Sequence, residues 1–422
     1  MHHFTYKNNR LYCEDVSVAS IADEVGTPLY LYSYATIRRH FSVFDHAFKD
    51  LAHLTCFSVK SNSNLAILKL LALQGGGADI VSAGELFRAL RAGIPPEKIV
   101  FSGVGKAPHD IEQALRSDIL MFNVESEQEL RTLDRIARDT GKRASIAIRI
   151  NPDVAPKTHP YIVTGFGENK FGIPIDDSPA AYELAQQLEN VEVKGISCHI
   201  GSQLTEIEPF LDALRKLRAL MKGLEKMDLH IAYLNIGGGL GITYDDESPP
   251  HPSEYAAALK KTLGANNVTL ILEPGRVIIG NAGILITRVL YTKSTPHKRF
   301  VIVDAGMNDL IRPALYDSFH AVQPVEMTSS EKVKGDLVGP VCETGDFFAK
   351  DREMPSFQPG DLVAVMSAGA YGFSMASNYN SRPRPAEVMV RGALFSIIRS
   401  RETYDDLVKG EIVPEFIGDE RH

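Results

Sequence analysis

The chain has too few cysteines, too little positive charge and too short apolar runs for several classes of protein. Its four cysteines, Cys13, Cys56, Cys198 and Cys342, lie far apart and form no Cys-x-x-Cys pair. Neither a zinc site nor a disulfide framework is suggested, and no metal is expected. Acidic residues outnumber basic ones, 53 to 45, for a net charge of −8. A basic surface for non-specific nucleic-acid binding is therefore missing. No uninterrupted apolar stretch approaches the roughly 20 residues that span a bilayer, so no membrane partner is expected. Met1-His2-His3-Phe4 lacks the basic start and apolar core of a secretory signal. These absences together set the expectation of a cytoplasmic, reduced protein.

What is present is an ordinary globular composition, 44% hydrophobic and 23% charged over 422 residues, long enough for two domains. From about residue 54 to 276, short β-rich runs alternate with helical stretches. The runs are Thr55–Lys60, Ala78–Ser82, Ile99–Ser102, Met121–Val124, Ala144–Ile150, Val193–Ile200, Ala232–Ile236 and Val268–Leu272. Between them, Leu130, Leu133 and Ile136 fall at helical spacing. Ser82 with Glu85, and Ser126 with Glu129, fit capping boxes that open helices directly after strands. Eight such units predict a (β/α)8 TIM-type barrel, with an open doubly wound sheet as the alternative. A long insertion, Asn151–Pro174, follows the fifth run, and loops of that length usually serve function.

After Gly280 the pattern changes. Ile284–Leu290, Arg299–Val303, Asp361–Met366 and Glu387–Val390 read as strands separated by Pro- and Gly-bearing turns. They predict a second, C-terminal β-sandwich or β-barrel domain. The first thirty residues, with a hairpin at Tyr6–Leu11 around Asn8-Asn9, are expected to join it. The division is then 30–280 for the barrel and 1–29 plus 281–422 for the β-domain.

In such barrels the active site gathers at the C-terminal strand ends. Polar residues there are Lys60, Asp79, Arg149, His199, the Gly237-Gly238-Gly239 turn, and Glu273 with Gly275 and Arg276. An amine desolvated at a strand end can act as a nucleophile. Consecutive glycines let backbone N–H groups approach a phosphate, though the turn lacks the Gly-Lys-Ser/Thr ending of an NTP-binding loop. Lysine, phosphate cradle and nearby carboxylate form the set that pyridoxal 5'-phosphate requires. Glu273 is the candidate partner of the pyridine nitrogen, and His199 could stack on the ring.

With these residues placed, the chain resembles the alanine-racemase-like, fold-type III pyridoxal-phosphate decarboxylases, and within them the diaminopimelate decarboxylases. The resemblance rests on Phe57-Ser58-Val59-Lys60-Ser61-Asn62, His199-Ile200-Gly201-Ser202-Gln203, the glycine turn and Glu273-Pro274-Gly275-Arg276. More specific are Lys157-Thr158-His159-Pro160-Tyr161-Ile162 through Asn169-Lys170-Phe171-Gly172-Ile173, Gly339-Pro340-Val341-Cys342-Glu343-Thr344-Gly345-Asp346, and the run from Ala368 through Tyr371 to Asn380. The family commonly has Tyr-Ala where this chain has Phe57-Ser58, alanine where it has Ser61, and a small residue where it has Val277. None of these changes removes a catalytic group.

The resemblance implies decarboxylation of meso-2,6-diaminopimelate to L-lysine and CO2, the last step of lysine biosynthesis. Lys60 would carry the cofactor as a Schiff base, and His199 would stack on it. Ser202, Gly239, Arg276 and Tyr371 would lie about the phosphate end or the substrate. Asp79, Arg149, Gly237, Gly238, Glu273 and Gly275 complete the expected cofactor-binding set. Arg276, Arg312 and Tyr316 would grip the substrate's far carboxylate, with Glu343 on its far amine. Cys342 would protonate the product carbon, arriving with Glu343 from the partner of a homodimer. Arg312 and Tyr316, four apart, would share one face of a helical turn.

Three other readings compete. Decarboxylation of ornithine or arginine on the same fold would leave the arginines without an anionic partner. A racemase needs two opposed bases, with Cys342 as the second. A cofactor-carrying protein without turnover would have no need of the β-domain residues Cys342, Glu343 and Tyr371.

Overall fold

The computed structural model describes residues 2–154, 170–264, 267–327 and 331–417. Its eight barrel strands are β1 (His53–Ser58), β2 (Gly77–Ile80), β3 (Ile99–Phe101), β4 (Met121–Val124), β5 (Ala144–Asn151), β6 (Val191–Ser197), β7 (Tyr233–Asn235) and β8 (Thr269–Leu272). Each pairs in parallel with the next, and β8 returns to β1 through Leu272 opposite Thr55. The sheet is closed, which rules out the open doubly wound alternative. All eight expected runs are strands, and all but Met121–Val124 are shifted by one to three residues at one or both ends.

Side-chain alternation along each strand sorts the barrel interior into layers. Cys56, Val100, Met121, Ala147 and Ile271 form one small buried apolar cluster. Two residues further along the same strands, the inward positions turn polar: Ser58, Ser102, Asn123, Arg149 and Glu273, each buried. The apolar layer plugs the barrel, and the polar one forms the floor of whatever lies above it.

The expected capping serines do cap. Ser82 Oγ accepts from Glu85 N, and Ser126 Oγ from Glu129 N, each at 3.2 Å. The glutamates reach one residue further back than a capping box requires, accepting from Val81 N at 2.8 Å and Glu125 N at 2.9 Å. Each helix start is thereby stitched to the strand end before it.

The second unit is built on one long strand, Gly283–Ser294. It pairs antiparallel with Leu29–Ser33, Leu362–Val365 and Arg299–Val303. Leu29–Ser33 also pairs in parallel with Ala386–Arg391. The expected boundary at residue 30 therefore falls inside a strand of this sheet, and the barrel's first helix, Tyr34–Ala47, follows that strand directly. Period-two alternation divides Leu29–Ser33 cleanly. Leu29 and Leu31 join a core with Ile284, Ile286 and the N-terminal residues Phe4 and Leu11. Tyr30 and Tyr32 face the other way, into the core shared with the barrel. The N-terminal hairpin is present as Phe4–Lys7 paired with Arg10–Cys13. Asn8 and Asn9 have φ of 48° and 63°, the left-handed pair that a two-residue hairpin turn demands.

The two units are tied together beside Lys60. Asn62 Nδ2 donates to Tyr32 Oη at 3.2 Å and to Gly369 O at 3.1 Å. Tyr371 N donates to Ser61 O at 2.8 Å. The β-unit thus delivers Tyr371 to the top of the barrel. Among the described residues, no helix is long and apolar enough to cross a membrane.

Candidate active site

A cavity of about 650 Å³ opens at the C-terminal ends of the barrel strands. Lys60, Arg149, His199 and Glu273 line it from the barrel, together with Ser202 and Arg276. Arg312, Tyr316 and Tyr371 line it from the β-unit. A smaller recess adjoins it, bounded by His199, Ser202, Gly239, Gly275 and Arg276. Of the expected site residues, Asp79, Gly237, Gly238, Cys342 and Glu343 line neither space. Cys342 and Glu343 are exposed on the β-unit, where Cys342 N donates to Asn380 Oδ1 at 2.8 Å. The motif portion from 157 to 169 lies outside the described residues.

Lys60 sits in a single turn of 3-10 helix, Val59–Ser61, directly after β1. Its side chain is 38% exposed, into the cavity, with Nζ 3.5 Å from Asp79 Oδ2. Desolvation works against its charge, but Asp79, with Tyr371 and Glu273, outweighs that and raises the Lys60 pKa. Asp79 is fully buried and also accepts from Ser58 Oγ at 2.9 Å. Its Oδ1 has no partner among the described residues.

Glu273 follows β8 and is held from below. Its Oε1 accepts from Asn235 Nδ2 at 2.5 Å and Asn123 Nδ2 at 3.2 Å. Burial, then the nearby Asp79, push its pKa up to about 7. His199 is driven the other way. Burial, with the charges of Lys60 and Arg149, lowers its pKa well below the usual imidazole range, and its Nδ1 accepts from Gly238 N at 3.3 Å. A neutral flat ring therefore stands beside a charged amine and a buried carboxyl.

The glycine turn serves the protein's own packing first. A Cβ on Gly238 would lie 2.1 Å from Glu273 O, and one on Gly239 2.4 Å from Gly201 O. The Gly237 and Gly238 amides already donate, to Asn235 Oδ1 and His199 Nδ1. Gly239 lines the recess, with Ser202 Oγ and the Arg276 guanidinium hydrogen-bonded to each other beside it. Amine, neutral ring, buried carboxyl and a cationic recess of phosphate size fit pyridoxal phosphate by donor chemistry.

Arg276 and Arg312 are only 6% and 5% exposed. Among the described residues neither has a carboxylate within ion-pair distance, and the Nε of each lacks a partner. Arg276 donates to Tyr244 Oη at 2.6 Å and Ser202 Oγ at 3.1 Å. The Arg312 guanidinium lies 4.7 Å from the Tyr244 ring centroid, and burial followed by the like charge of Arg276 lowers its pKa. As the spacing predicts, Arg312 and Tyr316 sit on one short helix, Arg312–Tyr316.

Several contributors escaped sequence reading. Tyr244, which both arginines share, follows the glycine turn by five residues, and its position after β7 was the available signal. Asn123 and Asn235 were detectable as polar residues inside apolar strands. Glu125, at the end of β4, holds Arg149 Nη1 at 2.6 Å and Gly172 N at 2.9 Å. It thereby fixes Phe171, over whose ring the Arg149 guanidinium lies at 4.8 Å.

A closed parallel barrel with this lysine, ring, carboxyl and recess at its mouth, joined to a β-unit that completes the cavity, defines a pyridoxal-phosphate enzyme of the barrel type. The comparisons with known proteins narrow it. The family described as "Pyridoxal-dependent decarboxylase, pyridoxal binding domain" matches residues 34–280. Diaminopimelate decarboxylase of Vibrio cholerae is 52% identical over 98% of this chain and 100% of its own. The crystal structure of the Helicobacter pylori diaminopimelate decarboxylase complexed with L-lysine superposes with a TM-score of 0.90 at 45% identity, covering 93% of this chain and 98% of that one. That of the M. jannaschii enzyme gives 0.93 at 39% identity, covering 98% of each. The chain belongs to the diaminopimelate decarboxylase family, and its cofactor is pyridoxal 5'-phosphate.

Proposed function

We propose that this enzyme decarboxylates meso-2,6-diaminopimelate at its D-configured centre, releasing L-lysine and CO2 as the last step of lysine biosynthesis. The observation that carries this reading is the pair of buried arginines, Arg276 and Arg312, that have no carboxylate partner among the described residues. Holding a buried cation without a counterion costs several kcal/mol, and a substrate with a second carboxylate supplies the missing partner. Ornithine or arginine would not.

Bound pyridoxal phosphate supplies the electron sink for the pair left behind when CO2 departs. Lys60 Nζ is the amine that would hold the cofactor. Glu273, steadied by Asn235 and Asn123, keeps a proton at the pyridine nitrogen. His199, neutral, packs on the ring without adding charge. Ser202 and the Gly239 amide take the phosphate end. Arg312 and Tyr316, with Arg276, bind the far carboxylate. Cys342 of the second subunit delivers the proton to the carbon that has lost CO2, and Glu343 beside it receives the far amine. Their exposure away from the cavity of their own chain supports a homodimer with shared sites.

The test is CO2 release from meso-diaminopimelate, ornithine and arginine in parallel. Turnover of diaminopimelate alone is expected. Equal turnover of ornithine would overturn the distal-carboxylate argument.

A further inference from the structure

Among the described residues, the groups that hold Arg312 are neutral. Its Nη1 lies 3.0 Å from His320 Nε2, and its Nη2 donates to Ser318 Oγ at 3.2 Å. His320 is fully buried, with Nδ1 2.8 Å from Met366 O. A carbonyl can only accept, so Nδ1 carries the proton. A guanidinium can only donate, so Nε2 is the bare acceptor. The two contacts together fix one tautomer and no charge. Burial, reinforced by the Arg312 cation, pushes the His320 pKa down to about 3. The ring also meets Tyr244 edge-on at 5.4 Å, so it braces the aromatic residue that both arginines share.

We propose that His320 is a positioning residue for recognition of the substrate's far carboxylate, aiming Arg312 into the cavity through a neutral acceptor and leaving its full charge for the ligand. A carboxylate in the same place would orient Arg312 equally well, but it would cancel the charge the ligand needs. Ser318 acts in the same sense on the other nitrogen. Ser202 and Tyr244 do so for Arg276. The inference rests on the reading that Arg312 grips the far carboxylate.

The test compares His320→Phe, which keeps a ring against Tyr244 but removes the acceptor, with His320→Gln, which keeps an acceptor. Ser318→Ala removes the second neutral acceptor at the cavity wall, where folding is not at stake. Arg312→Lys is the reference. Two constants are read on the cofactor-loaded enzyme: KM for meso-diaminopimelate, and the inhibition constant of L-lysine, which retains the far carboxylate. Losing one hydrogen bond to a charged group should raise both constants about tenfold in His320→Phe, with a smaller change in kcat. His320→Gln should recover most of that loss, and Ser318→Ala should move both constants the same way by less. If Arg312→Lys leaves both unchanged, the far-carboxylate reading itself fails. If Arg312→Lys raises them but Ser318→Ala does not, and His320→Gln is no better than His320→Phe, the positioning role is refuted. Should His320→Phe not fold, a rise in Ser318→Ala beside a near-normal His320→Gln supports the proposal, and no rise in Ser318→Ala sinks it.

Discussion

Glu273→Gln should stabilise the cofactor-free protein, and do so only at neutral and alkaline pH. The side chain is 7% exposed and sits near the buried Asp79. Its pKa is pushed from 4.5 to about 7, by burial first and by Asp79 second. A carboxyl whose folded pKa lies above its unfolded one ionises more easily in the unfolded chain. Its destabilising effect is absent below about pH 4.5, grows as pH rises, and is complete above about 7. At about 1.4 kcal/mol for each pH unit between the two values, the full effect is about 3–4 kcal/mol. Glutamine keeps the shape and the oxygen that accepts from Asn235 and Asn123, so it removes the charge and little else. With an unfolding entropy of about 2.1 cal/mol/K per residue, a gain of that size raises Tm by about 3–4 °C at pH 8. At pH 5 the gain should fall below about 1 kcal/mol. Thermal melts of cofactor-free wild type and variant across this range are the assay. A pH-independent difference, or a variant less stable at pH 8, would refute the electrostatic account of this site. Loading the cofactor should abolish the advantage if, as proposed, Glu273 pairs with the protonated pyridine nitrogen.

Other outcomes test the remaining parts. Arg312→Met should raise KM for diaminopimelate about tenfold to a hundredfold, since a charged, hydrogen-bonded pair is lost; an unchanged KM would remove Arg312 from the substrate's path. Cys342→Ala should lower kcat far more than it raises KM, as expected of a group acting only in the chemical step. Mixing Cys342→Ala with Lys60→Ala subunits, each inactive alone, should restore up to about a quarter of wild-type activity through the one intact site of each mixed dimer; no recovery despite proven exchange would place both groups in one chain's site. Gly238→Ala should destabilise by about 1–3 kcal/mol through overpacking, because its Cβ would meet Glu273 O at 2.1 Å, and urea melts would read the loss.

The barrel was legible because its strands are buried on both faces, which makes each a short apolar run that stands out between amphipathic helices. Runs such as Met121–Val124 needed no adjustment at all. The β-unit was harder to read for the converse reason. Lys332–Val338 and Phe347–Pro355 pair with each other while presenting Lys334, Asp351 and Glu353 to solvent, so charge hides their period. The strand Leu29–Ser33 was divided by the expected boundary because nothing local says that its partners lie some 250 and 350 residues downstream.

Site residues separate in the same way. Lys60, His199 and Glu273 could be placed from strand ends, since barrel geometry alone brings those positions together. Ser318 and His320 could not, since nothing in the local sequence says that they contact Arg312. The glycine turn shows how a correct residue can carry an incomplete reason. Gly237 and Gly238 suggest open backbone offered to a phosphate, yet their amides are spent on Asn235 and His199, and their missing side chains make room for the strand ends beside them. These two glycines bear on the site through what they hold: Asn235 beneath Glu273, and the His199 imidazole at the cavity wall. A larger residue at either position would disturb the carboxyl and the imidazole before it reached the phosphate. Cofactor affinity and the Glu273 pKa should therefore move together in any variant of this turn that still folds.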